Sequence, residues 1–254
     1  MRKLPIYLIV ILTCCCTSVQ VFPQQLTASE IIRRADEKFN GEKTSQGEMS
    51  VQIVRPSWER TIVCKYWAKG RDYSLTLVTS PAREKGQSFL KLKNELWTWN
   101  PTISRLIKLP PSMLSQGWMN SDYSNDDILK ESSLLLDYSH QLAGEGLHDG
   151  TACWKILLIP KENAAVVWGK IIKWVSRDEF LMLKSEYYDE DGVLVKTESA
   201  YDIRMMDDRR LPTRIEIVPA REKGNKTIVR MLSVKFNREL GDAFFSQQNM
   251  KTVK

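Results

Sequence analysis

The sequence predicts a mainly β protein, one strongly curved antiparallel sheet with a few helices over its concave face. Three observations lead there. From Gln46 onward, runs in which apolar and polar residues alternate with period two recur along the chain, as half-buried strands require. Turn residues punctuate them at Arg55-Pro56-Ser57, Lys69-Gly70, Asn100-Pro101, Asp191-Gly192 and Gly224-Asn225, which gives roughly 11 to 13 strands. The period is lost once, between Pro110 and Leu136, where the composition turns polar and methionine-rich.

The 254 residues are 43% hydrophobic and 27% charged. That is ordinary globular usage, and it excludes a disordered, collagen-like or multispan membrane chain. Sheet proteins of roughly 200–250 residues are often single units, so one domain over 26–254 is expected. The net charge of +6 is spread among acids with no block of like sign, which does not mark a nucleic-acid binder.

Residues 1–19 read as a secretory signal peptide. Arg2 and Lys3 precede an apolar run from Leu4 to Cys16, and the small polar Thr17-Ser18 follow. The run is shorter than the about 20 residues a membrane-spanning helix needs. Cys14, Cys15 and Cys16 lie inside it. Acylation at Cys15 or Cys16 would tether the product to a membrane. The residue before Cys15 departs from the small residue a lipoprotein signal places there, so export without a tether is the main reading. Cys64 and Cys153 fall on expected strands. An oxidising compartment permits a bridge between them, and isolated strand cysteines also serve as small buried apolar residues.

Thr27 followed by Glu30 fits a capping box for one amphipathic helix, with Ile31, Ile32, Ala35 and Phe39 on one face and Gly41 as its stop. Tyr73, Leu75 and Leu77 alternate with Asp72, Ser74 and Thr76. Val193, Val195, Tyr201, Ile203 and Met205 form the expected apolar face of a later strand, opposite Leu194, Lys196, Glu198, Asp202 and Arg204. Near the end, Ile228, Leu232, Val234 and Phe236 do the same, interrupted by Arg230. In the central break, Ser124-Asn125-Asp126-Asp127 leads into Ile128-Leu129 as a capped helix start.

No catalytic constellation assembles. His140 and His148 stand near a glycine-rich turn, and a lipid-ester hydrolase would need one of them to meet a serine inside a cavity. No nucleophile elbow, zinc-protease motif or phosphate loop occurs. Asp189-Glu190-Asp191-Gly192 fails the calcium-loop pattern and reads as a hairpin. No enzyme, cofactor or metal is expected. The tryptophans and methionines around the break are more informative. Met113 and Met119 beside Trp118 suit an adaptable apolar site under covering helices, or else a thick core.

Several segments resemble the outer-membrane lipoprotein-sorting proteins of the LolA-like type. They are Lys85-Gly86-Gln87-Ser88-Phe89-Leu90, Trp97-Thr98-Trp99-Asn100-Pro101 and Arg105 through Met113, then Trp118-Met119, Val167-Trp168-Gly169-Lys170, Tyr187 through Gly192, Leu211-Pro212-Thr213 and Phe245 through Met250. The resemblance spans nearly the whole mature chain. It implies an open, incomplete β-barrel of about eleven strands, with helices as a lid over an apolar cavity. It further implies a periplasmic monomer that carries lipoproteins or other lipids by their acyl chains, between an inner-membrane transporter and an outer-membrane acceptor. On that reading Trp97, Trp99, Leu106, Met113, Leu114, Trp118, Met119, Ile128 and Leu129 line the cavity or lid, and Arg105 and Lys108 stand at its rim. A membrane-tethered envelope lipoprotein is the alternative.

Overall fold

The computed structural model describes residues 26–40, 43–130 and 134–254. The signal peptide over 1–19, Cys14, Cys15 and Cys16, and the Gly41 helix stop lie outside the described residues.

Helix α1 (Ala28–Asn40) begins where the cap was expected: the Glu30 amide donates to Thr27 Oγ1 at 3.2 Å. The Glu30 carboxylate pairs with Arg33 at 2.8 Å and Arg34 at 2.7 Å. Hydrogen bonds from these arginines hold its pKa at about 2, below the ordinary 4.5. Protonation therefore favours unfolding: the pair's contribution is full above about 4.5 and is lost as pH falls through about 2. The Glu30→Gln variant should show a flatter acid limb in its stability–pH curve. The pair is exposed, so the difference should shrink in high salt. An unchanged acid limb would reject this account.

Thirteen strands follow: β1 (Thr44–Arg55), β2 (Trp58–Lys69), β3 (Tyr73–Ser80), β4 (Ser88–Leu92), β5 (Glu95–Asn100), β6 (Arg105–Lys108), β7 (Tyr138–His148), β8 (Thr151–Pro160), β9 (Lys170–Ser176), β10 (Met182–Tyr188), β11 (Leu194–Met206), β12 (Arg209–Pro219) and β13 (Lys226–Phe236). This is the upper end of the sequence count and more than the resemblance implied. All belong to one antiparallel sheet, in the order β6-β5-β4-β3-β2-β1-β13-β12-β11-β10-β9-β8-β7. Its two edge strands, β6 and β7, are consecutive in the chain and do not pair, so the barrel stays open. The segment joining them crosses the gap. It carries two 3₁₀ turns, Pro111–Met113 and Trp118–Asn120, and the short helices α2 (Asn125–Lys130) and α3 (Leu134–Asp137).

Two apolar faces differ from the sequence expectation. In β13 the register against β1 slips at Leu232, which leaves Leu232 51% exposed. A β-bulge of this kind moves every later side chain to the other face. Thr227, Val229 and Met231 therefore share the concave side with Val234 and Phe236 beyond the bulge. Gly47 stands opposite, where a Cβ would lie 2.0 Å from the Ser233 carbonyl oxygen. In β11 the inward residues are Lys196 and Ala200, whereas Met205 is 65% exposed. Asp202, with a left-handed φ of 56°, interrupts the alternation, and Ile203 beyond it packs against the core.

The β12–β13 ladder is short. Only four positions pair, from Arg214 opposite Arg230 to Ile217 opposite Thr227, whereas β1–β13 and β11–β12 pair along most of their length. Beyond Arg214 the two strands splay, and Pro212 has no N–H to offer a ladder there.

The core is divided between the faces of the sheet. On the concave side, Ile31, Ile32 and Ala35 of α1 pack on Ile156, Leu158, Ile171 and Val175. On the convex side, Leu75 and Leu90 are covered by Phe245 and Met250 of the C-terminal segment. Cys64 and Cys153 are free, buried and in separate clusters, so no bridge joins them. Burial, with the nearby Glu84 carboxylate, pushes the Cys64 thiol up to about 12.

Candidate functional site

Between the concave face and the crossing segment lies a cavity of about 280 Å³. Its wall comes from alternating positions on β1, β3, β12 and β13, because period two sends every second side chain inward. Met49, Val51, Thr76, Ile215, Ile217, Val229 and Met231 form the wall, with Tyr66 and Phe89 beside them. Phe39 of α1 closes one side, and Trp118, Tyr123 and Ile128 of the crossing segment form the roof. Burial alone raises the Tyr66 phenol well above its ordinary value, so it stays protonated. A site mostly apolar, with a few polar groups, is the usual form of a small-molecule pocket.

The roof is tied at two places. Around Trp118–Asn120, Arg60 donates to the Met119 carbonyl and Arg55 to the Asn120 carbonyl at 2.9 Å. Both residues they hold have left-handed φ, 53° and 62°, which is uncommon away from glycine. Arg55 also pairs with Asp122 at 3.1 Å, and Thr227 Oγ1 donates to the same carboxylate at 2.7 Å. At α2, Ser124 caps the helix: the Asp127 amide donates to Ser124 Oγ at 3.0 Å. Asp127 then accepts from Lys196 of β11 at 2.6 Å and from Trp168 at 3.3 Å. The Lys196 ammonium, on a side chain 5% exposed, lies about 5 Å from the rings of Tyr123, Trp168 and Tyr187. Glu198 Oε1 is 3.6 Å away.

Two smaller chambers, of about 80 and about 90 Å³, lie under α1; Lys173 and Glu198 line both, and Asp127 lines the first. Phe39 and Tyr123 border all three spaces. The hollow thus has an uncharged lining beneath β1–β4 and carries charged side chains among apolar ones beneath β9–β11.

Comparison with known proteins agrees with this architecture. A family model described as "Uncharacterized protein" matches residues 70–252. A LolA superfamily protein of Nitrosomonas europaea superposes with a TM-score of 0.74 at 27% identity, covering 88% of this chain and 99% of its own. The chain belongs to the LolA-like family. A DUF1329 family protein of Desulfovibrio piger shares the LolA-like fold with a TM-score of 0.81 at 25% identity, over 88% of this chain and 97% of its own. A domain of Vibrio parahaemolyticus described as an outer membrane lipoprotein-sorting protein matches with a TM-score of 0.75 at 18% identity, over 88% and 98%, which shows the fold. No curated protein matches the chain.

Within this LolA-like sheet the residues singled out by sequence are scattered. Trp118 and Ile128 line the cavity. Leu114 and Leu129 pack with Leu96 and Leu109 in a cluster of the crossing segment, Met119 packs behind Trp118, and Met113 and Met119 face a separate cleft. Trp97, Trp99 and Leu106 lie with Phe245 and Met250 in the convex cluster, away from the cavity. Lys108, exposed on β6, pairs with Glu95 and lies over the Trp97 ring at 5.8 Å, and Arg105 is exposed at the same edge. Most of the wall, from Phe39, Met49 and Val51 to Val229 and Met231, was not singled out. The alternation of Met49, Val51 and Ile53 with Ser50 and Gln52 is a signal for the β1 part of this wall, whereas the bulge in β13 hides its partner.

His140 does meet a serine. Its Nε2 bonds the Leu134 carbonyl at 2.9 Å, which leaves Nδ1 to accept from Ser29 Oγ at 3.1 Å. Ser29 is exposed at the start of α1, and neither residue lines the cavity. Among the described residues no three His, Cys, Asp or Glu side chains converge to hold a metal, and no helix is long and apolar enough to cross a membrane.

Proposed function

We propose that this LolA-like protein is an exported carrier that holds acyl chains in its cavity and takes part in sorting lipoproteins to the outer membrane. The observation that carries the reading is the apolar cavity of about 280 Å³ between the concave sheet and a tied roof. Its size is near the lower end of ligand pockets, roughly 300–1,000 Å³. Its floor is non-directional, so it suits a ligand recognised by apolar area alone. The superfamily of the Nitrosomonas relative and the description of the Vibrio domain point the same way.

The place of work is the periplasm, reached through the signal peptide read over residues 1–19. The carrier works as a monomer, with no reaction and no cofactor. The donor is an inner-membrane transporter and the acceptor an outer-membrane protein. The roof over the cavity is the moving part. It is held by side-chain ties to the sheet, and breaking them exposes the cavity without unfolding the sheet.

Protein purified from its own envelope without detergent should retain acyl chains at near-stoichiometric amounts, seen by native mass spectrometry and lipid extraction. It should also take up a fluorescent fatty acid once delipidated. An empty protein that takes up none would leave the cavity as a packing feature. The mass of the mature N-terminus, free or acylated, separates the soluble carrier from a tethered lipoprotein.

A further inference from the structure

Among the described residues, six buried side-chain nitrogen or oxygen atoms make no hydrogen bond. Three of them, Trp118 Nε1, Arg60 Nε and Glu84 Oε2, belong to residues gathered around the Trp118–Asn120 turn. A buried polar atom without a partner costs about 1–3 kcal/mol, so such atoms clustered in one place call for an explanation.

Their surroundings supply it. Trp118, 5% exposed, faces the acyl cavity, while its neighbours Gly117, Met119 and Asn120 face a second hollow of about 320 Å³ on the other side of the turn. Arg60 and Glu84 line that cleft with Gln87, Thr98 and Asn125 among the apolar Leu109, Met113 and Met119, so it offers charged and polar groups that the cavity does not. Phe89 borders both spaces, edge-on to the Trp118 ring with centroids 5.3 Å apart. Glu84 is 8% exposed and uses one oxygen for Arg60 Nη1 at 3.0 Å and Arg83 Nε at 3.1 Å. Its other oxygen is the unpartnered acceptor. Arg60, with Nη1 on Glu84 and Nη2 on the Met119 carbonyl, keeps Nε as the unpartnered donor.

We infer that this cleft is the head-group site for the molecule whose acyl chain fills the cavity, and that the head carries an N–H donor as well as an acyl carbonyl. The inference rests on the carrier reading above. With the chain in the cavity, the carbonyl at its root accepts from Trp118 Nε1. Beyond the turn, Glu84 Oε2 accepts from an amide N–H or an ammonium, and Arg60 Nε donates to a neighbouring oxygen. The N-terminal end of an acylated polypeptide and an aminophospholipid both present this chemistry.

The test compares two soluble lipids with identical chains, dihexanoyl phosphatidylethanolamine and dihexanoyl phosphatidylcholine, as competitors of a bound fluorescent fatty acid. Trimethylation keeps the charge and removes the N–H donors. The ethanolamine lipid should bind at least about tenfold tighter, as loss of a hydrogen bond to a buried carboxylate implies. Glu84→Gln should erase most of that difference while still binding the fatty acid, which shows that the variant is folded. Trp118→Phe should weaken both lipids equally, because both carry the same ester. A diacylglyceryl-cysteine dipeptide identifies the source: tighter binding than the ethanolamine lipid means a polypeptide end, weaker binding an aminophospholipid. Equal affinity of the two phospholipids in the unaltered protein would overturn the head-group site and leave the carrier reading standing. Failure to bind any acyl compound would remove both.

Discussion

Replacing Lys196 by Met should lower stability by about 3–5 kcal/mol, among the largest effects expected of any single change in this chain. The residue is deeply buried, and its ammonium is the counter-charge to Asp127 on α2 and Glu198 on its own strand. The methionine fills nearly the same space, so packing against Tyr123, Trp168 and Tyr187 is kept. What remains is two carboxylates, 7% and 13% exposed, without their shared cation. The removal of one partner from a buried pair costs more than the pair itself is worth. For a chain of this length the loss corresponds to a fall in Tm of roughly 6–20 °C. Adding Asp127→Asn should restore the larger part, since Ser124 still caps α2, asparagine can still accept from the Ser124 amide and it needs no cation. A calorimetric double-mutant cycle checks this. Strictly additive losses would mean that the two groups do not depend on one another.

The second large effect concerns binding. Val229→Trp places an indole in the main cavity, from a wall position that packs against the Val51 and Trp118 cluster and also has open space before it. Burying a methylene is worth about 0.8 kcal/mol, so shutting out roughly three or four of them weakens acyl binding by about a hundredfold. Overpacking a filled core costs typically 1–3 kcal/mol, and the cost here should sit at or below the lower end. The control is Trp97→Leu, on the convex face under the C-terminal segment, which should leave fatty-acid affinity unchanged. Titration of the fluorescent fatty acid against both variants decides the matter. Normal binding by Val229→Trp would move the acyl site out of this cavity.

The contrast between Val229 and Trp97 also measures how far the sequence could be read. Period two and turn residues suffice for strands, and the break from Pro110 to Leu136 suffices for a covering segment. Thr27 and Ser124 announce the starts of α1 and α2. Side of the sheet is harder. Trp97 and Trp99 alternate with Leu96 and Thr98, and nothing in β5 alone tells which set meets the cavity. The answer depends on the C-terminal segment, which covers the tryptophans from the far side. Leu232 looks like a core residue until the bulge against Glu48 and Met49 turns it outward. Lys196 looks like the solvent face of β11 and is instead buried, because a carboxylate from a distant helix meets it. Each error has one cause: the deciding partner is far away in sequence.

The splay between β12 and β13 has a mechanical meaning. A thirteen-stranded sheet is stiff along its ladders, but its resistance to flexing is set by the weakest seam. Away from the short strands at the β6 edge that seam is the β12–β13 ladder, four residue pairs long between two 11-residue strands, and it adjoins the cavity wall. Strands β1–β6 with β13 form one leaf, and β7–β12 form the other. A small rotation about the seam strains few backbone hydrogen bonds, yet it changes the cavity width along its whole depth. The gap between β6 and β7 changes with it, and the connecting segment is anchored to both leaves, through Arg55 and Arg60 on one and Lys196 on the other. On the carrier reading proposed above, the container breathes around cargoes of different girth with its ladders intact.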